Sequence, residues 1–371
     1  MGWLITARAV QGVGAALVMP LAVALLSVDT PPERRGRALG IFEGLTGLAT
    51  IAGPPVGGAV AQLIGWEWIF WVNVPIALLM IPLVVLRVGE SHGSDTTLDV
   101  RGLVLVTGGA LGLVWGLVRG NVSGWTSPGV VIALAAGTVL MLAFVRWELR
   151  TREPMLPMRL FGSRGFSGAT GASFLLFAAL YGSVFFLAQF MQTGLGYSPL
   201  EAGLRLVPWT ATLFVVAPLA GALADRFGNR PILAGGLALN AAGLAWIAVI
   251  AAPDVGYPAL VLPLVVTGIG ASMAIPVVQN AVLGAVAPDE MGKASGANNM
   301  TQELGGVFGV AILVAAFTTA GSYASAVAFV DGFTVAIGVC AALACGAAIA
   351  ALAVPRPDPS QTLAPTGEVS A

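Results

Sequence analysis

Eleven stretches of this chain are apolar over about 20 residues, the length a helix needs to cross a bilayer. They are 2–28, 37–64, 67–87, 101–119, 128–146, 165–193, 199–223, 231–252, 258–286, 294–319 and 331–355. Only 9% of the 371 residues are charged, against 57% hydrophobic. A water-facing domain carries roughly 25% charged residues, so lipid is the solvent that suits this surface. Lipid tolerates no unsatisfied backbone, which leaves helices or closed barrels, and barrel strands would be shorter and alternate in polarity. The expected fold class is an all-α membrane protein. Its 49 glycines and in-span prolines suit close helix packing and local kinks. The tail 356–371, rich in Pro, Ser and Thr, reads as disordered.

Basic residues orient the spans. One set of loops holds Arg34, Arg35, Arg37, Arg87, Arg101, Arg146, Arg150, Arg152, Arg159, Arg164, Arg226, Arg230, Lys293 and Arg356, while the opposite set holds Arg119 alone. By the positive-inside rule the first set is cytoplasmic, and the C-terminus with it. Trp66, Trp68, Trp71, Trp125, Tyr197, Tyr257 and Tyr323 fall at the other boundary, as an aromatic belt would. The expected location is the cell's inner (plasma) membrane, as a multi-pass protein with its C-terminus in the cytoplasm.

An internal repeat is the second constraint. Gly12–Gly40 aligns without a gap onto Gly268–Gly296, pairing Gly12, Gly14, Ala15, Pro20, Pro32, Gly36, Ala38 and Gly40 with identical residues 256 positions later. Two similar helical bundles rocking about a central site are typical of secondary transporters. Three spans (165–252) precede the second copy and none precedes the first. The expectation is therefore a chain short of three N-terminal helices, fourteen in its complete form. Residues 1–88 would be the second half of the first bundle and 89–164 two extra linking spans with loops. Residues 165–355 would be a six-helix second bundle, ahead of the 356–371 tail.

Several function classes fall away. A net charge of −1 gives no reason to expect nucleic-acid binding. The lone histidine, His92, and the two cysteines, Cys340 and Cys345, offer neither a metal cluster nor a catalytic triad. No enzyme activity is expected.

Five motifs carry a resemblance to a known family. They are RAVQGVGAA (Arg8–Ala16), GPPVGG (Gly53–Gly58), WEWIFWVNVP (Trp66–Pro75), GALADRFGNRPIL (Gly221–Leu233) and the stretch Ser295–Val310. Over residues 3–355 the chain resembles the major facilitator superfamily, and within it the fourteen-helix drug:proton antiporters of the EmrB/QacA-like group. The resemblance implies that superfamily's fold, with 11 transmembrane helices present of 14. It also implies proton-coupled efflux of hydrophobic or amphipathic small molecules by alternating access. Such a protein would need no cofactor beyond the proton gradient, and its partners would be a small-molecule substrate and the lipid bilayer. It is expected to act as a monomer. A small-nutrient importer of the same fold, or an inactive truncated fragment, are the alternatives; GPPVGG resembles an antiporter motif and speaks against import.

Charges at membrane depth are costly and are functional candidates. Arg8, in the motif that resembles the family's proton-linked arginine, either tunes a neighbouring carboxylate or snorkels to headgroups. Glu303, about 15 Å along its helix from Lys293, is a candidate proton carrier or a structural carboxyl. Glu43 either lines the cavity or pairs with a cytoplasmic arginine. Gly221, Asp225, Arg226, Gly228 and Arg230 form a tight turn that would latch one conformation, with Gly228 allowing its unusual backbone. Gly53, Pro54, Gly57 and Gly58 would let helices approach closely and seal the contact between bundles. Tyr181, Gln189, Trp209, Asn240, Gln279 and Asn280 are polar or amphipathic groups near the midplane that would contact substrate, or hold helices together.

Overall fold

The computed structural model describes residues 2–29, 49, 52–87, 99–151, 154–287 and 290–355. Among them the regular structure is helical, in the order α1 (Gly2–Asp29), α2 (52–63), α3 (Trp68–Trp71), α4 (Asn73–Arg87), α5 (Val100–Ser123), α6 (Pro128–Glu148), α7 (Arg164–Gln189), α8 (Pro199–Arg205), α9 (Val207–Thr210), α10 (Thr212–Phe227), α11 (Asn229–Ile250), α12 (Tyr257–Leu283), α13 (Met291–Ala320) and α14 (Ala326–Ala351). Nine helical stretches among the described residues are long and apolar enough to cross a membrane, from Trp68–Arg87 to Ala326–Ala351. They coincide with nine of the eleven expected spans. Of the other two, 2–28 is covered by α1. Much of 37–64 lies outside the described residues, as do Glu43 and the tail 356–371.

Local chemistry sets the ends of these helices. Ser198 and Glu201 form a reciprocal capping box at the start of α8, with Pro199 at its first position. Asp99 caps α5, its side chain accepting from the Gly102 amide, and Ser325 caps α14 through the Ala328 amide. The α10–α11 turn is made at Gly228, whose φ of +86° and ψ of 158° put it in a region open essentially to glycine. At the end of α7 one turn widens to π geometry over Phe190–Gly194, then gives way to the Gly196 turn at φ +73°.

Helices α7 and α10–α14 pack into one bundle, in which α7 meets α12, α13 and α14, and α11 lies between α12 and α14. Small residues set the spacing. A β-carbon on Gly270 would collide with the Asn240 amide of α11, and one on Gly309 with the Ala178 carbonyl of α7. Such contacts are the usual means of helix association where lipid removes any hydrophobic drive between helices. The core has two lobes. Near one end Phe186, Phe190, Phe317, Phe329 and Phe333 interlock, with Phe190 and Phe333 stacked at 4.2 Å. Near the basic end Phe166, Leu176, Leu233, Val277 and Val282 form the second lobe, joined by Phe144 of α6 and by Leu156 and Leu160. The hairpin α5–α6 closes on its own glycines, Gly112 against Gly137, and lays α5 along α13.

Candidate functional site

A cavity of about 400 Å³ lies where α5, α7 and α13 meet. Its walls are apolar, drawn from Val118 of α5 and from Gly306, Val307, Val310 and Val314 of α13. Two groups break that surface, Tyr181 of α7 and Glu303 of α13. Glu303 sits twelve residues into a 30-residue helix, hence near its middle. Gly306, one turn further on, makes room for the Tyr181 ring, which a β-carbon there would strike at the edge. The Glu303 side chain is exposed and not buried, on a wall otherwise made largely of glycine and valine. It has no hydrogen bond or ion pair among the described residues.

The other candidates are dispersed. Arg8 is exposed on α1, where it donates to Gln11 Oε1 at 2.8 Å and lies 4.9 Å from the Phe70 ring centre; no carboxylate pairs with it among the described residues. Gln279 is tied into a side-chain network, accepting from Asn298 Nδ2 and donating to Ser295 Oγ at 3.5 Å. Asn298 is fully buried. Asn280 is exposed near the end of α12. Asn240 is buried where α11 packs on Gly270 of α12 and does not line the cavity; among the described residues its Oδ1 has no partner. Trp209 is buried, and a β-carbon at Gly268 would strike its indole and carbonyl. Gln189 accepts from the Tyr323 hydroxyl at 2.6 Å, bridging the ends of α7 and α13. Burial pushes that hydroxyl above the ordinary tyrosine range, with the hydrogen bond to Gln189 acting the other way. Of the six expected substrate contacts, Tyr181 is the one that lines the cavity with Glu303.

The turn residues Asp225 and Arg226 are exposed, with Arg226 over the Phe227 ring at 5.2 Å. Gly228 is buried, Gly221 and Arg230 are half-buried, and no ion pair joins Asp225 to another described residue.

Helix α2 meets α8 backbone to backbone. A β-carbon on Gly58 would run into the Pro199 carbonyl, and one on Gly203 into the Pro54 carbonyl. Gln62 Oε1 accepts from the Leu200 amide at 3.2 Å. Gly53 and Gly57 have no neighbour within 4 Å of a β-carbon, so the close approach rests on Gly58 and Pro54.

Three groups escaped the sequence reading. Arg205 stacks on Tyr197 at 3.8 Å and approaches Tyr257 at 5.5 Å, holding α8 against α12. Asp99 and Glu148, at the two feet of the α5–α6 hairpin, come together at the basic end. Their only signal in sequence was position: each is an acid bordering an apolar span, among arginines, where a solvated charge is the ordinary expectation.

Comparison with known proteins fits this architecture. The chain is 33% identical over 308 residues to the tetracenomycin C resistance and export protein of Streptomyces glaucescens, covering 82% of this chain and 57% of that one. It is 35% identical over 321 residues to a cephamycin export protein of Amycolatopsis lactamdurans, covering 84% and 65%. A puromycin resistance protein of Streptomyces alboniger is 32% identical, at 84% and 63%. The chain thus spans less than two thirds of the length of these relatives. The crystal structure of a peptide transporter superposes with a TM-score of 0.59 at 17% identity, over 91% of this chain and 71% of that one, which speaks to the fold alone. The sequence profile described as Major Facilitator Superfamily matches residues 1–149 and 169–369. With its array of membrane-length helices, this chain is a multi-pass membrane protein that belongs to the Major Facilitator Superfamily.

Proposed function

We propose that the chain forms part of a proton-coupled exporter of hydrophobic or amphipathic small molecules, of the fourteen-helix drug:proton antiporter group. The observation that carries this reading is Glu303, a carboxyl unpaired among the described residues, at mid-helix in an otherwise apolar cavity beside Tyr181. A carboxyl in such a place can accept a proton from one side of the membrane and release it to the other. An apolar cavity around it suits a hydrophobic cargo. Relatives named for the export of tetracenomycin C and cephamycin, and for resistance to puromycin, support the same direction of transport. The α5–α6 pair between the two repeat-bearing regions supports the fourteen-helix group.

In this reading the basic end of the bundle, and the C-terminus, face the cytoplasm. Alternating access rocks residues 1–88 against the bundle of residues 165–355, with the α2–α8 contact as the seal between them. The α10–α11 turn, in which Asp225 makes no ion pair with another described residue, latches the opposite conformation.

The test is transport in proteoliposomes loaded with a fluorescent hydrophobic cation and given a pH gradient of either sign. Export requires dye to move against the proton flow, reversing when the gradient is reversed. Movement with the proton flow would make the protein an importer, and movement indifferent to the gradient would remove proton coupling.

A further inference from the structure

Glu148, the last residue of α6, is 3% exposed although it is a carboxyl among arginines. One of its oxygens is accounted for: Oε2 accepts from the Leu156 amide at 3.0 Å. The other, Oε1, is buried and has no hydrogen-bond donor among the described residues. It converges with Asp99 over Gly102, where a β-carbon would lie 2.6 Å from Asp99 Oδ2 and 2.9 Å from Glu148 Oε1. Asp99 is supplied with donors. It accepts from the Gly102 amide at 2.9 Å and from Trp147 Nε1 at 2.9 and 3.0 Å to its two oxygens. Two ionised carboxylates in this position would set a buried, donorless oxygen against a second negative charge.

Among the described residues no positive group forms an ion pair with either carboxylate. Lys293 of α13 acts on Glu148 from a distance and donates to the Pro154 carbonyl at 3.1 Å. Arg101 of α5 lies over the Trp147 ring, 5.2 Å from its centre. Arg159 is paired with Glu290. A single proton resolves the conflict, since a carboxylic acid supplies the donor that the site lacks.

We propose that Asp99 and Glu148 form a proton-binding pair, with the proton on Glu148 Oε1 donated to Asp99 Oδ2. The proton enters from water at the basic end of the bundle and returns there; no other bond is made or broken. The site clamps the hairpin. Glu148 grips Leu156, whose neighbours Pro154 and Arg159 hold α13 through Lys293 and Glu290, and α13 carries Glu303 further along. Loss of the proton leaves two carboxylates repelling each other across Gly102, and the foot of α5–α6 loosens from the bundle. This inference does not rest on Glu303 or on the direction of transport.

Infrared spectroscopy of the purified protein in lipid tests it without transport. The wild-type spectrum, recorded across a pH titration, should contain a protonated-carboxyl stretch that moves in D₂O and that Glu148→Gln removes, by one carboxyl per chain. Glu303→Gln should leave that component in place. Asp99→Asn should also abolish it, because the asparagine amide becomes the donor and Glu148 can ionise; asparagine keeps the helix cap, so this variant stands if Glu148→Gln fails to fold. A Glu148→Gln spectrum identical to wild type would overturn the proposal. So would a band that persists unchanged in Asp99→Asn, or one that appears only when sodium and potassium are withdrawn.

Discussion

The side-chain oxygen of Gln62 takes the backbone amide of Leu200 at 3.2 Å, joining helices 138 residues apart in the chain. Pro54 and Gly58 on one side, and Pro199 and Gly203 on the other, bring the two backbones close enough for that bond. In the proposed rocking motion this contact has to form without interlocking side chains, which is what glycine faces permit.

Gly58→Leu is expected to abolish transport while the protein still inserts. Its side chain would enter the space of the Pro199 carbonyl, and overpacking of this kind costs about 1–3 kcal/mol. That is enough to shift a two-state equilibrium by roughly 5- to 150-fold. Dye efflux and membrane abundance measured on the same cells check it, and efflux equal to wild type would remove the contact from the mechanism.

Glu303→Gln should reduce proton-driven export by at least about tenfold, equivalent to about 1.4 kcal/mol, with insertion and thermal stability near wild type. Stability should hold because the carboxyl makes no bond among the described residues. Passive exchange of dye down its own gradient should survive. Gradient-driven efflux and counterflow, assayed side by side, distinguish the two.

Gly228→Ala should destabilise the protein by about 1–3 kcal/mol, since φ +86° with ψ 158° is a conformation that a β-carbon strains. A lowered thermal unfolding midpoint in detergent is the readout. Gly221→Ala, at a position with open space around it, should leave the midpoint within error and serves as the control.

A reporter enzyme fused after Arg356 should be active in the cytoplasm, and one inserted in the 251–256 loop should be active outside. Fourteen basic residues on one set of loops against Arg119 on the other predict this orientation. The reverse pattern would overturn it.

What the sequence determined by itself is local. Spans from Trp68–Arg87 to Ala326–Ala351 follow from the length of apolar runs. The caps at Ser198 and Ser325 and the glycine turn at Gly228 follow from chemistry within a few residues. Which face of each helix meets another was decided only by the tertiary structure. A helix that is apolar all round carries no stripe to say which side is protein and which is lipid, so Asn240 and Tyr181 read alike in sequence. Only packing turned one into a helix contact and the other into a cavity wall with Glu303. The same holds for Asp99 and Glu148, which sit 49 positions apart and meet because the α5–α6 hairpin closes on Gly112 and Gly137.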